Sequence, residues 1–116
     1  MAKVLEIRVA PPADALDRFE AAWNRVAARE PVRPWRVLSL EDLPALTRAL
    51  SPARWDLLKA LRQGGACSVY ELARRLGRDY KNVHTDVAAL LNAGLVERAE
   101  GKIAVPWDAV RAELRF

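Results

Sequence analysis

The sequence predicts an α+β fold, mainly α: a β-α-β arm, then closely spaced helices, then a small ribbon. Three observations predict it. The segment from Lys3 to Val9 alternates, with Leu5, Ile7 and Val9 apolar and Glu6 and Arg8 charged between them. Residues 51–94 hold three helical apolar patterns, opened by Ser or Asp and closed by glycine. Residues 95–105 hold two short strand patterns around Glu100-Gly101.

The elements follow in order. In Lys3 to Val9, Leu5, Ile7 and Val9 fall on one face, with Glu6 and Arg8 on the other. Period two is the mark of a half-buried strand. Pro11-Pro12 ends it. From about Ala13 to Glu30, Leu16, Phe19, Trp23 and Val26 recur at helical spacing. Asp14 and Asp17 suit the first turn of that helix, Arg25 and Arg29 the last. Pro31 and Pro34 break the chain, and Trp35 to Leu40 reads as a second strand. This β-α-β arm is too small to be stable alone. Ser39 is expected to cap a short connecting helix through Leu43, Leu46 and Leu50.

Ser51-Pro52 is an N-cap with proline at the first helical position. Trp55, Leu57, Leu58 and Leu61 form the apolar side of that helix, which stops at Gly64-Gly65. Ser68-Val69-Tyr70-Glu71 is a capping box, and Gly77 ends the helix it opens. Asp79 is expected to cap a longer helix, 79–93, with Tyr80, Val83, Val87, Leu90 and Leu91 on one face. Gly94 then fits the left-handed stop position. Trp107 to Phe116 reads as a last short helix, with Val110 and Leu114 four apart. The expected organisation is an arm and connector over 1–47, a helix-turn-helix with a wing over 48–106, and a C-terminal helix over 107–116.

Composition excludes several classes. Hydrophobic residues are 52% and charged residues 29% of the 116, enough to bury a core. One cysteine, Cys67, precludes a disulfide framework or a cysteine-cluster zinc site. The thiol is expected to be a small buried group, with a redox role as the alternative. The single histidine, His84, has no second metal ligand in reach by spacing. No apolar run approaches the roughly 18–20 residues of a membrane span. The first residues lack the apolar core of a signal peptide. A cytoplasmic protein with no metal and no cofactor is expected. Nucleophile-elbow, Walker A, zincin and dinucleotide fingerprints are absent, so no catalytic residue is assigned and no enzyme is expected.

The net charge of +4 permits a nucleic-acid partner without requiring one. Its placement is more telling. Arg74, Arg75, Arg78 and Lys81 fall within eight residues around the Gly77 turn. Two helices joined by so short a turn must cross, leaving one face of the second outward. At about 100° per residue, Lys81, His84, Thr85 and Ala88 lie opposite Val83, Val87, Leu90 and Leu91. One cation, one imidazole, one hydroxyl and one methyl fit a major groove. The expected base contacts are Lys81, Asn82, His84 and Thr85. The expected phosphate contacts are Arg74, Arg75, Arg78 and Tyr80, with Arg98 and Lys102 on the wing. The alternatives are a solvated helix face and ordinary surface arginines paired with Glu71.

The run from Ser68 to Val87 resembles a family of winged-helix regulators of archaea and bacteria, MarR-like in broad class. Their pattern is SVxELAxxLgRDYKNVHxDV, preceded by LTPxRxxLL; here the preceding stretch runs from Leu50 to Leu58. The resemblance covers roughly residues 48–106. It implies a winged helix-turn-helix that binds DNA through helix 79–93. Members often lie beside toxin-like genes, which implies an autoregulator or antitoxin. The expected partners are double-stranded DNA, a second copy of the chain in a homodimer, and a cognate toxin-like protein. The alternative is a winged-helix protein-interaction module, a toxin-neutralising antitoxin or an adaptor, with little DNA binding. Four tryptophans are expected as core anchors; the alternative is that Trp23 or Trp35 lies in a dimer interface.

Overall fold

The computed structural model describes residues 2–11 and 37–116. The helix expected over 13–30 lies outside the described residues, as do Trp23 and Trp35. The elements are β1 (Val4–Val9), β2 (Val37–Leu40), α1 (Leu43–Ala49), α2 (Pro52–Gly64), α3 (Val69–Leu76), α4 (Tyr80–Ala93), β3 (Glu97–Ala99), β4 (Lys102–Ala104) and β5 (Ala109–Leu114). The described part is thus a small α+β fold.

β1 buries Leu5, Ile7 and Val9 and leaves the residues between them half-buried, as the alternation requires. It pairs in parallel with β2, from Glu6 opposite Val37 to Val9 opposite Leu40. Its other edge corrects the expectation of a C-terminal helix. Residues 109–114 form β5, parallel to β1, with Val4 opposite Ala109 and Val9 opposite Leu114. The sheet order is β2-β1-β5. Val110 and Leu114 are four apart, which suits a helix, but Ala112 between them makes the same residues a period-two strand. A neighbouring strand edge decides between the two. Around the start of β5, the Lys3 carbonyl accepts from the Asp108 N–H at 2.8 Å, and the Lys3 N–H donates to the Asp108 carboxylate at 2.7 Å.

Local cap chemistry sets the helices. Ser51 Oγ accepts from the Arg54 N–H, and Ser68 Oγ from the Glu71 N–H at 3.1 Å. Two expected caps are corrected. Asp42, not Ser39, caps α1, accepting from the Ala45 N–H at 2.9 Å; Ser39 is within β2. Asp79 occupies the N-cap position of α4 but makes no side-chain cap hydrogen bond. Gly77 and Gly94 close α3 and α4 at φ of +62° and +81°, where a side chain would clash with its own carbonyl. The Leu95 N–H reaches back to the Leu90 carbonyl, completing the second stop.

α2, α3 and α4 pack around Leu57, Leu61, Leu72, Val83, Val87 and Leu90, all at most 1% exposed. β3 and β4 form an antiparallel ribbon about Glu100-Gly101, both with positive φ as a tight hairpin demands. Cys67 is buried and trades backbone hydrogen bonds with Ile103 at 2.8 and 3.1 Å, tying the α2–α3 connection to the ribbon. Leu5 belongs to this same core, and Val110 and Trp107 pack against it. The Trp107 indole N–H donates to the Gly94 carbonyl at 2.8 Å. β1 and β5 therefore share the core of the helical unit, and a boundary at residue 47 does not divide it. Among the described residues, no helix is long and apolar enough to cross a membrane.

Candidate nucleic-acid interface

α4 is the element on which the expected contacts meet. Val83, Val87 and Leu90 are buried, while Lys81, Asn82, His84, Thr85 and Ala88 are exposed. The apolar stripe turned to the core forces the polar stripe out. The four residues expected to face bases therefore share one exposed face. Thr85 Oγ donates to the Lys81 carbonyl at 3.0 Å, which fixes the hydroxyl and leaves its lone pairs outward. Tyr80 is exposed, and its ring lies 5.9 Å from that of His84 at a tilt of 41°. The two rings bracket the head of the helix.

The arginines around the turn divide into two groups. Arg74 is largely exposed and bonds Glu71 one turn earlier at 3.0 Å. Arg75 also approaches Glu71, at 3.6 Å, and donates to the Gly65 carbonyl. The Arg74 hydrogen bond leads in holding the Glu71 carboxyl below its ordinary range. These two arginines lie on the exposed side of α3 and can reach a neighbouring polyanion.

Arg78, expected as a phosphate contact, is ion-paired within the fold. It turns inward and donates to Asp86 Oδ2 at 2.7 Å, while Arg54 donates to Asp86 Oδ1 at 3.0 Å. Asp86 is only 16% exposed, Arg54 21% and Arg78 29%. Burial alone would raise the Asp86 pKa, but the hydrogen bonds from Arg78 and Arg54 outweigh it and hold the carboxyl below its usual range. Arg54 also donates to the Arg48 and Ala49 carbonyls, closing the end of α1. One carboxylate thus clamps the start of α2, the end of α1 and the α3–α4 turn onto α4. One Arg78 nitrogen, Nη1, is buried without a hydrogen-bond partner.

Sequence reasoning missed Asp86 and Arg54. The signal was present: both, with Arg78, are letters of the pattern that carries the resemblance. On the ribbon, Arg98 and Lys102 are exposed on either side of the turn, and Glu97 and Glu100 are exposed beside them. The described residues hold no cluster of three or more His, Cys, Asp or Glu side chains fit for a metal.

A family model described as HVO_A0114 matches residues 49–112, a description that states no activity. No curated protein and no solved structure matches the chain.

Proposed function

From a chain that belongs to the HVO_A0114 family, with the geometry above, we propose a sequence-specific regulator that binds double-stranded DNA. In this reading the α2–α4 unit with its ribbon is a winged helix-turn-helix of MarR-like kind. α4 enters the major groove, Arg74 and Arg75 brace on phosphates, and Arg98 and Lys102 touch the backbone from the wing. The chain acts as a cytoplasmic binding protein, not an enzyme, and works as an autoregulator or antitoxin-like repressor.

The observation that carries this reading is the exposed face of α4. Lys81, Asn82, His84 and Thr85 project together from a helix whose opposite face is buried at 1% exposure or less. The Asp86 clamp supports it, because a reading helix must be held in one orientation. A single module of this size contacts few base pairs, so two copies on a pseudo-palindrome supply the needed specificity.

The test is a mobility shift with DNA from upstream of the gene, against random DNA of equal length. Lys81→Glu serves as the control, because Lys81 is exposed and outside the Asp86 clamp. A salt-sensitive shift with upstream DNA, lost in Lys81→Glu, is expected. No shift with either DNA would transfer the reading to a protein-interaction module that engages a toxin-like partner.

A further inference from the structure

The outer edge of β5 has no strand beside it among the described residues. β1 uses its other side: the Ala109 and Arg115 N–H groups donate to the Lys3 and Val9 carbonyls. Backbone direction alternates along a strand, so Val110, Ala112 and Leu114 point their N–H and C=O groups away from β1. Three residues of the strand thus present a row of donors and acceptors that meet no partner strand among the described residues. An edge of this kind is a template for another strand. Leu114 is 52% exposed on it, and Ala112 is exposed.

The side chains say which strand fits. The apolar face of the sheet continues outward, from Leu5 to Val110, from Ile7 to Ala112 and from Val9 to Leu114. The other face carries a charge ladder. Arg8 pairs with Glu113 at 3.2 Å, and Arg111 approaches Glu6 at 3.8 Å. We propose that β5 pairs antiparallel with β5 of a second copy, about a twofold axis at Ala112. This deepens the homodimer proposed above by naming its interface, and rests on that reading only for the dimer's use on DNA.

The register is self-complementary. Ala112 meets the partner's Ala112, and Val110 meets the partner's Leu114. Arg111 meets the partner's Glu113. The outward-pointing groups of Ala112 make its pair a hydrogen-bonded one. The Arg111 pairs then fall at the non-hydrogen-bonded sites, where Cα atoms approach to about 4.5 Å and side chains are closest. Across the joined sheet the charges read Glu6, Arg111, the partner's Glu113, the partner's Arg8, alternating in sign. Shifting the axis to Arg111 or Glu113 sets like charges against each other. Shifting it to Val110 or Leu114 shortens the overlap. Pairing at Ala112 joins two three-stranded sheets into one of six and covers the β5 edges of both copies at once.

The experiment is sedimentation equilibrium on the full chain, without DNA, so its result stands whatever the mobility shift shows. The wild type should be dimeric. Ala112→Pro deletes an N–H that β1 does not use, so the variant should keep its circular dichroism and become monomeric. Arg111→Glu and Glu113→Arg alone each set like charges across the axis and should weaken self-association at least about tenfold. Mixed together, these two variants restore opposite charges at both sites and should form a one-to-one heterodimer. A monomeric wild type, a dimeric Ala112→Pro, or a mixture that fails to associate would overturn the proposal.

Discussion

Asp86→Asn tests the clamp that fixes the proposed reading helix. The substitution keeps the size of the side chain and removes its charge. Asp86 now accepts from two guanidinium groups, at 2.7 and 3.0 Å. An amide can accept from one with its oxygen, but its NH2 group then faces the other donor. Two partly buried cations also lose their shared counter-charge. Hydrogen bonds to charged groups contribute about 1.5–3 kcal/mol each in protected sites. Breaking a fully buried pair costs about 3–5 kcal/mol. The arginines keep 21% and 29% of their surface, so solvent screening reduces this. A loss of about 2–3 kcal/mol remains, equivalent to a fall in Tm of roughly 10–15 °C for a domain of this size. Thermal melts by circular dichroism at neutral pH measure it. The pH dependence gives a second reading. The folded carboxyl titrates below its usual range, so its contribution is present above the unfolded pKa, about 3.9, and is lost as pH falls through the lower folded value. The gap between wild type and variant should stay constant from pH 5 to about pH 8 and close below about pH 4. A variant melting within about 2 °C of wild type at pH 7 would refute the clamp.

Lys81→Ala should weaken binding to all DNA sequences and reduce the slope of log affinity against log salt by about one unit, measured by fluorescence anisotropy in a salt series. An unchanged slope removes Lys81 from the phosphate contacts. His84→Ala should instead narrow the gap between upstream and random DNA by about 1–3 kcal/mol, with the salt slope nearly constant; equal losses on both DNAs would show that the imidazole reads no base. Gly77→Ala meets no atom within 4 Å of the added Cβ, so its cost is the left-handed φ of +62° alone. That cost is about 1–2 kcal/mol, read as a Tm fall of roughly 5–10 °C.

The parts of the fold governed by local chemistry were legible. Leu5, Ile7 and Val9 announce a strand because alternation needs no partner to be seen. Ser51, Ser68, Gly77 and Gly94 mark their helix ends because caps and left-handed stops act within four residues. The failures were non-local. Val110, Ala112 and Leu114 satisfy both helical and strand spacing, and only the edge of β1, over a hundred residues away in the chain, selects the strand. Ser39 was a sound cap by type, but it is held in β2 by pairing with Arg8, leaving the cap to Asp42. Within the candidate site, the outward face of α4 followed from the period of its apolar residues. The fate of Arg78 did not, because Asp86 lies eight residues on and its second partner, Arg54, thirty-two residues back.

The pairing of Arg78 with Asp86 changes the charge that the head of α4 can offer to DNA. Four cations near one turn suggest a strong positive head on α4 when counted from sequence. In the folded protein, Asp86 neutralises much of Arg78 and Arg54, and Glu71 serves Arg74 and Arg75. Lys81 is the cation on the outward face itself. With Arg98 and Lys102 from the ribbon and the exposed Arg74, one copy offers only a few phosphate contacts. Each contact contributes about one unit of salt slope, so a single copy would bind weakly at physiological salt. Joining two copies doubles the contacts and makes the second engagement intramolecular, at an effective concentration set by the link between them. A stiff sheet continuous across β5 would hold the two reading helices at a fixed spacing, which a flexible tether could not. The thinness of the cationic face and the self-complementarity of β5 therefore call for the same assembly. Ala112→Pro should consequently lower affinity for a two-site operator while leaving affinity for an isolated half-site unchanged. An equal loss on both would mean that β5 supports the fold of the reader rather than its pairing.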